Sequence, residues 1–367
     1  MPKAARFFCR FLSVIIALAL VLGAGAFAGF TYLNTAPEGN VALLRPVIDG
    51  MASSGAMRLT DDNALIFEVR AGESAHSVGT RLQTAGVIRN RYFWNTLFRF
   101  DNEHVRTGTY RIELPATQVR IRSILTSGEQ LLVRVTIPEG STIRRAARLI
   151  EEAGITSFDD FVNAAYSREI LETFNVLGAS MEGFLFPDTY LFPLGYPAHR
   201  VVTAMAENFA RRLEELDIEM SGAVSALTRE ELNNRVILAS IVEREHRLAS
   251  EASVMAGVFY NRLRIGMPLQ SCATVEYVIT EIMGLPHPQR LFYRDLEIPN
   301  PFNTYMHRGL PPGPISAPGR VSLKAAIEPA STNYLFFRLI DASTGRHHFS
   351  RTFDEHNRAG AFFVRGS

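Results

Sequence analysis

The pattern of apolar and polar positions separates one long apolar run near the N-terminus from a longer part with short, periodic patterns. Phe11 to Leu33 is a run of 23 residues without a charge. As a helix it would be about 34 Å long, enough to cross the hydrocarbon core of a membrane. The pattern therefore predicts a transmembrane helix over 11–33, preceded by a short N-terminal segment, 1–10.

Charges beside the run predict its orientation. Lys3, Arg6 and Arg10 precede it, and no basic residue follows it until Arg45. Because basic flanks stay on the cytoplasmic side, we expect residues 1–10 in the cytoplasm and the bulk of the chain outside. A cleaved signal peptide is the alternative, since Ala24-Gly25-Ala26 resembles a cleavage site. The continuation of the run to Leu33 favours a retained anchor.

Residues 34–63 are rich in Pro, Gly and Ser and are predicted to be a linker. Two similar segments follow, 68 residues apart. Each has a strand pattern, a glycine, about three helical turns and a second glycine: first the strand Ala64–Val69 with the helix Ala75–Thr84, then the strand Val133–Pro138 with the helix Ile143–Glu152. We therefore expect a small βα subdomain over 64–134, and a second βα unit with a connector over 135–180.

A helix with clear start signals lies further along the chain. Thr228 and Glu231 have capping-box spacing, and an apolar stripe then ends on a carboxylate, through Ile237, Leu238, Ile241, Val242 and Glu245. Burial and the helix C-terminus both raise the pKa of such a carboxyl group, as a general acid requires. The alternative is that Glu245 only pairs with a nearby arginine. Glu243, two residues away, faces elsewhere.

Composition narrows the classes of function. The 367 residues include 38 basic and 37 acidic side chains, a net charge of +1 that gives no reason to expect nucleic acid as a partner. Two cysteines exclude a disulfide framework, and 25 phenylalanines argue against a disordered chain. His347, His348 and His356 lack partners with metal-ligand spacing, so no metal and no cofactor is expected.

Several long motifs resemble the endolytic murein transglycosylases, the YceG-like proteins. The motifs are Glu182-Gly-Phe-Leu-Phe-Pro-Asp-Thr-Tyr190, Ile241-Val-Glu-Arg-Glu245, the run from Ala256 to Gln270, Asn303-Thr-Tyr305, Gly309-Leu-Pro-Pro-Gly-Pro-Ile315, Phe349-Ser350 and His356-Asn357. The resemblance implies an α+β protein of the inner membrane with a single N-terminal transmembrane helix. It also implies a LysM-like subdomain and a larger mixed α/β catalytic domain over 181–360, both periplasmic.

The resemblance implies cleavage within peptidoglycan glycan strands that leaves 1,6-anhydro-N-acetylmuramic ends, with Glu245 as the catalytic residue. Enzymes of cell-wall synthesis are further partners to expect. One acid suffices, because the sugar's own 6-hydroxyl attacks in place of water, and intramolecular attack benefits from a high effective concentration. The loop residues Asn261, Gln270, Asn303 and Tyr305 are candidates for substrate binding. The family commonly has Asp-Pro where this chain has Cys272-Ala273, so no role of that Asp is carried over.

Two other functions stay open at this point. One is a membrane-tethered scaffold that binds peptidoglycan without cleaving it, with Glu245 structural. The other is a glycoside hydrolase that uses Glu182 or Asp188 as a second carboxylate, because hydrolysis by water generally needs two.

Overall fold

The computed structural model describes residues 3–37, 41, 44–51, 57–99 and 103–359. These residues are helical for the most part, with one three-stranded sheet and two two-stranded sheets. They confirm the predicted α+β class. The chain divides into two compact units, one of Met1–Leu132 with Pro193–Gly195 and the other of Val133–Phe192 with Tyr196–Ser367.

The N-terminal helix α1 runs over Lys3–Asn34. Its part Val14–Asn34 has a mean hydropathy of 2.3 and none of its residues in the most apolar window is buried. Its length and composition are sufficient to span a membrane and are compatible with the predicted anchor. The apolar side chains of this window are not buried by the protein. A lipid bilayer would supply an apolar environment for them.

The first unit folds around an antiparallel sheet. In chain order its further elements are α2 (Arg45–Met51), β1 (Met57–Leu59), β2 (Ala64–Val69), α3 (Ala75–Thr84), α4 (Arg91–Thr96), β3 (Gly108–Glu113) and α5 (Gln118–Ser127). The strand order is β1-β2-β3, and Phe67 of β2 lies opposite Met57 on one side and Tyr110 on the other. These side chains and Trp94 are buried in one apolar cluster.

Helix α2 and strand β1 lie within the segment 34–63 that the sequence predicts to be a linker. Ile48, Met57 and Leu59 are buried, and Arg58 between the last two is exposed. That alternation is the period-two pattern of a strand with one face toward a core. The glycines and serines just before it made the short strand look like part of a flexible segment.

The second unit is larger. Its elements are β4 (Leu132–Thr136), α6 (Ile143–Glu152), α7 (Phe158–Ala165), α8 (Arg168–Thr173), β5 (Thr189–Pro193), α9 (Ala198–Glu219), α10 (Arg229–Glu245), α11 (Ala252–Arg264), α12 (Cys272–Tyr277), α13 (Arg320–Ile327), β6 (Phe336–Asp341), β7 (Arg346–Ser350) and α14 (Phe353–Ala359). Helix α10 packs against α11, α12 and α13. Residues of 135–180, such as Ile150 and Phe161, belong to the same apolar cluster as Ile241.

The two repeated segments have the same local structure. Gly72 and Gly140 have φ of 74° and 71°, and Gly86 and Gly154 have φ of 74° and 71°. Glycine adopts these left-handed conformations without the steric cost of a Cβ atom. Their strands pair differently, however, since β2 is the centre of the three-stranded sheet and β4 pairs with β5. The sequence repeat therefore fixes local conformation but not the sheet that each strand joins.

Candidate active site

Helix α10 begins at the capping box that the sequence predicts. The Thr228 hydroxyl accepts a hydrogen bond from the backbone N–H of Glu231 (3.2 Å), and the Glu231 carboxylate accepts one from the N–H of Thr228 (2.8 Å). These bonds satisfy two N–H groups that a helix N-terminus leaves without partners. The register of every later residue on α10 follows from this start.

The last turn of α10 presents Glu245 at the end of its buried stripe. Ile237, Leu238, Ile241 and Val242 are each at most 3% exposed. Side chains three and four residues apart share a helix face, so the Glu245 carboxyl group lies where the buried stripe reaches the surface. Glu245 itself is partly buried.

Two donors from the start of α12 hold the Glu245 carboxyl group. Ser271 Oγ donates to Glu245 Oε1 at 2.5 Å, and the backbone N–H of Ala273 donates as well. Burial raises the pKa of Glu245 and the negative charge of Glu276 adds to the rise, while the two hydrogen bonds act in the opposite direction. The net shift is upward. The protonated form is favoured relative to an ordinary glutamate, and the carboxylate is still stabilised by hydrogen bonds, as a residue that alternates between acid and base requires.

Tyr305 and Arg262 belong to the electrostatic surroundings of Glu245. The Tyr305 hydroxyl lies 3.1 Å from the sulfur of Cys272, and burial raises its pKa, so it stays protonated and can donate. Arg262 donates to the carbonyl oxygens of Leu269 and Leu335, at 2.6 Å each. Arg262 thus ties the loop before α12 to the start of β6.

A buried pair on the other side of the α10 C-terminus consists of Glu251 and His347. The Glu251 carboxylate lies 2.7 Å from His347 Nδ1 and accepts from the His347 backbone N–H at 3.2 Å. The His347 side chain is 6% exposed, and a positive charge on it would lower the pKa of Glu245. Among the residues that the structure describes, no group of three or more His, Cys, Asp or Glu side chains could hold a metal ion.

The structure places the four predicted substrate-binding residues in two classes. Asn261 donates to the carbonyl oxygens of residues 332 and 334, and Asn303 is fully buried and donates to those of residues 296 and 298. Both amide nitrogens are engaged by the main chain and shape loops. Gln270 is exposed and has a left-handed φ of 51°, and it precedes Ser271 directly. Gln270 and Tyr305 are therefore the two that can present a polar group to a ligand beside Glu245.

The two carboxylates of the hydrolase alternative have other partners. Glu182 is 5% exposed and both its oxygens accept from the N–H of Ile143 at 3.2 Å, at the start of α6; burial raises its pKa to about 8. Asp188 accepts from Arg212 at 2.9 Å and from Asn208 at 3.1 Å. Among the described residues, no hydrogen bond joins either carboxylate to Glu245, so the geometry gives no support to a mechanism that pairs either with it.

The chain is similar to known proteins over most of its length. The sequence profile described as the YceG-like family matches residues 67–361, which is most of the chain. The chain belongs to the YceG-like family. A crystal structure of a YceG-like protein from Listeria monocytogenes is similar to it, with a TM-score of 0.54 and 27% identity over 81% of this chain and 99% of that one.

Curated relatives carry an activity in their names. A Bacillus subtilis protein named endolytic murein transglycosylase is 29% identical over 318 residues, which is 81% of this chain and 84% of that protein. A Streptococcus pneumoniae protein of the same name is 24% identical over 379 aligned positions, 95% of this chain and 64% of that protein. The chain thus spans less than two thirds of the length of the Streptococcus relative.

Ser271 and Ala273 are site residues that the sequence did not single out. The one signal for them is the departure from the Asp-Pro that the YceG-like resemblance leads us to expect at 272–273. A proline at 273 has no N–H, so the hydrogen bond from Ala273 to Glu245 is one that only a non-proline residue can make. The Ala273 N–H therefore adds a donor to the carboxyl group that a proline at this position would lack.

Proposed function

We propose that the chain is an endolytic peptidoglycan transglycosylase. It cleaves the glycan strand between N-acetylmuramic acid and N-acetylglucosamine and leaves a 1,6-anhydro-N-acetylmuramic end. The observation that carries this proposal is the desolvated Glu245 carboxyl group held by Ser271 and Ala273. The names of the curated relatives support the substrate class, and membership in the YceG-like family supports an enzyme over a scaffold.

Protonated Glu245 acts first, as the general acid. It donates its proton to the glycosidic oxygen as the bond from that oxygen to C1 of the muramic sugar breaks. Its raised pKa favours the protonated form that a general acid needs. The leaving sugar departs with a new hydroxyl group, and positive charge develops at C1 and the ring oxygen.

The same residue then acts as the base. The 6-hydroxyl of the muramic sugar attacks C1, and the Glu245 carboxylate removes its proton, which restores the starting form of the enzyme. No water is consumed. The leaving sugar takes the proton of Glu245, the 6-hydroxyl proton replaces it, and the 6-oxygen becomes part of the anhydro ring. The hydrogen bonds from Ser271 and Ala273 stabilise the carboxylate between the two steps.

Polar groups beside Glu245 orient the strand in this proposal. The exposed Gln270 amide and the Tyr305 hydroxyl are placed to hydrogen-bond sugar hydroxyl or acetamido groups. Asn261 and Asn303 contribute indirectly, because their hydrogen bonds to the main chain fix the loops that carry the site.

We further propose that α1 anchors the protein in the inner membrane, with residues 1–10 in the cytoplasm and both compact units in the periplasm. The apolar segment Val14–Asn34 and the basic residues before it support this topology. An anchored enzyme acts where new strands emerge, so cleavage there would terminate nascent strands beside the enzymes that make them. The LysM-like subdomain over 64–134 would bind glycan and bring the strand to the catalytic domain.

Mass spectrometry of the products tests the reaction. The purified protein is incubated with isolated glycan strands, and the new ends are identified after separation. We expect internal cleavage products with anhydro-muramic ends, which are lighter by one water than hydrolysis products. Reducing ends would instead identify a hydrolase, and binding without new ends would identify a scaffold.

A further inference from the structure

A second polar cleft lies directly beside the candidate active site. It has a volume of about 690 Å³ and is formed by the start of α6, the end of α10 and the segment after α12. Arg244, which precedes Glu245 on α10, lines it and pairs with Glu276 at 2.9 Å. The charge of Glu276 also acts on Glu245, so the Arg244–Glu276 pair connects the cleft with the proposed general acid.

One wall of the cleft consists of arginines without carboxylate partners. Arg144, Arg145 and Arg148 lie on the first two turns of α6, and all three line the cleft. Among the described residues, none of the three guanidinium groups has an ion-pair partner, and the Nε atom of Arg144 is buried without a hydrogen bond. Arginine forms strong paired hydrogen bonds with carboxylates, so this wall is suited to an acidic ligand.

The cleft is lined by negative as well as positive side chains, Glu281 and Arg244 among them. Glu139 and Glu243 both line the cleft, and Glu243 is held by a hydrogen bond from the backbone N–H of Gly319 at 2.9 Å. Burial raises the pKa of Glu139 and the nearby charge of Glu243 raises it further, while His246 acts in the opposite direction, so the two carboxylates repel each other. A bound ammonium group would relieve that repulsion. The charges of the cleft are therefore complementary to a ligand that has both carboxylate groups and an amino group.

We propose that this cleft binds the stem peptide of the peptidoglycan strand. The inference rests on the proposed function and names the form of its substrate. The stem peptide carries several carboxylates and the free amino group of a diamino acid, which matches a cleft lined by both arginines and glutamates. It is attached through the lactyl group to the muramic sugar whose C1 linkage is broken. A strand whose muramic C1 lies at Glu245 therefore brings its peptide to the neighbouring cleft.

The proposal predicts a preference for strands that carry peptides. The test compares kcat/KM for glycan strands with stem peptides and for strands from which an amidase has removed them. The ratio of interest is kcat/KM for strands with peptides divided by kcat/KM for strands without them. In the double variant Arg145→Ala/Arg148→Ala, we expect this ratio to fall about tenfold or more. Both arginines are exposed, so the variant should fold, and a melting curve checks this. Arg200→Ala, which removes an exposed arginine from α9 outside the cleft, should keep the ratio.

A binding measurement separates this proposal from the proposed function. Calorimetric titration with a soluble N-acetylmuramyl tripeptide that ends in a diamino acid should show binding to the native protein and at least tenfold weaker binding to the double variant. Equal binding by both proteins, or an unchanged ratio of kcat/KM, overturns the peptide site. If neither strand is cleaved but the tripeptide binds and the double variant loses it, the transglycosylase proposal fails and the peptide site stands.

Discussion

Replacing Glu245 by glutamine tests the proposed mechanism at its centre. Glutamine keeps the volume of the side chain and one oxygen that can accept from Ser271 or from Ala273, but it has no acidic proton. It can neither protonate the glycosidic oxygen nor remove the proton of the attacking hydroxyl. Both halves of the reaction therefore lose their catalyst in one substitution.

The expected loss of activity is large. General acid–base assistance is typically worth 10²–10⁴-fold in rate, and one group supplies it twice in this mechanism. We expect kcat of Glu245→Gln to fall by about 10⁴-fold. Glu243→Gln leaves the chemical step intact, so kcat should stay within about tenfold, while KM for peptide-bearing strands should rise because Glu243 lines the proposed peptide cleft.

The stability of the same variant should depend on pH in a defined direction. The folded-state pKa of Glu245 lies above its ordinary value of 4.5, so its contribution to stability is fully present below pH 4.5 and declines as pH rises through the folded-state pKa. Glu245→Gln has no such decline. Glutamine offers one oxygen to the two donors where the carboxyl group offers two, and the lost hydrogen bond, worth about 1 kcal/mol, offsets part of the gain. We expect the free energies of unfolding of the variant and the native protein to differ by at most about 2 kcal/mol at pH 7.5. The stability of the variant relative to the native protein should increase as pH rises.

The assay is a time course of anhydro-ended products for each variant, with melting curves between pH 4 and pH 9. Glu230→Gln is the matched control, because it makes the same substitution at an exposed position on the same helix. A folded Glu245→Gln protein with turnover within tenfold of the native rate would refute the single-acid mechanism. A melting temperature that falls more steeply with pH in the variant than in the native protein would refute the stated pKa direction.

Four further outcomes are expected. Ala273→Pro removes an N–H that stabilises the Glu245 carboxylate, so the alkaline limb of the pH profile of kcat/KM should move to higher pH; an unmoved limb would mean that this bond has no influence. The folded-state pKa of Glu182 is about 8, so the free energy of unfolding of the native protein should fall by up to roughly 4 kcal/mol between pH 4.5 and 7.5 from this group, and that of Glu182→Gln should not. The same pH dependence in both proteins would contradict this. A reporter fused after Ser367 should be periplasmic and the mature protein should keep its N-terminus, whereas N-terminal sequencing that starts inside the apolar run would show cleavage. Deleting residues 64–130 should weaken sedimentation with insoluble peptidoglycan, and unchanged sedimentation would reduce that subdomain to a spacer.

The sequence by itself determined the features that depend on neighbouring residues. The helix over Ala75–Thr84, the helix over Ile143–Glu152 and the start of α10 follow from glycine and capping positions, and the structure has the same bounds. The apolar run of α1 and the placement of Glu245 on a buried stripe are also local, because they depend only on residue type and helical period.

Only the tertiary structure decided what each site residue contacts. Ser271 meets Glu245 across 26 residues of chain, through a loop whose path depends on Arg262 and on buried neighbours. For the same reason, the sequence does not show that the Asn303 side chain hydrogen-bonds to backbone carbonyl oxygens while the Gln270 side chain stays exposed. Amides in loops look alike in sequence, and their roles depend on which backbone groups the folded chain leaves without partners. Such pairings arise from long-range packing, which no local pattern encodes.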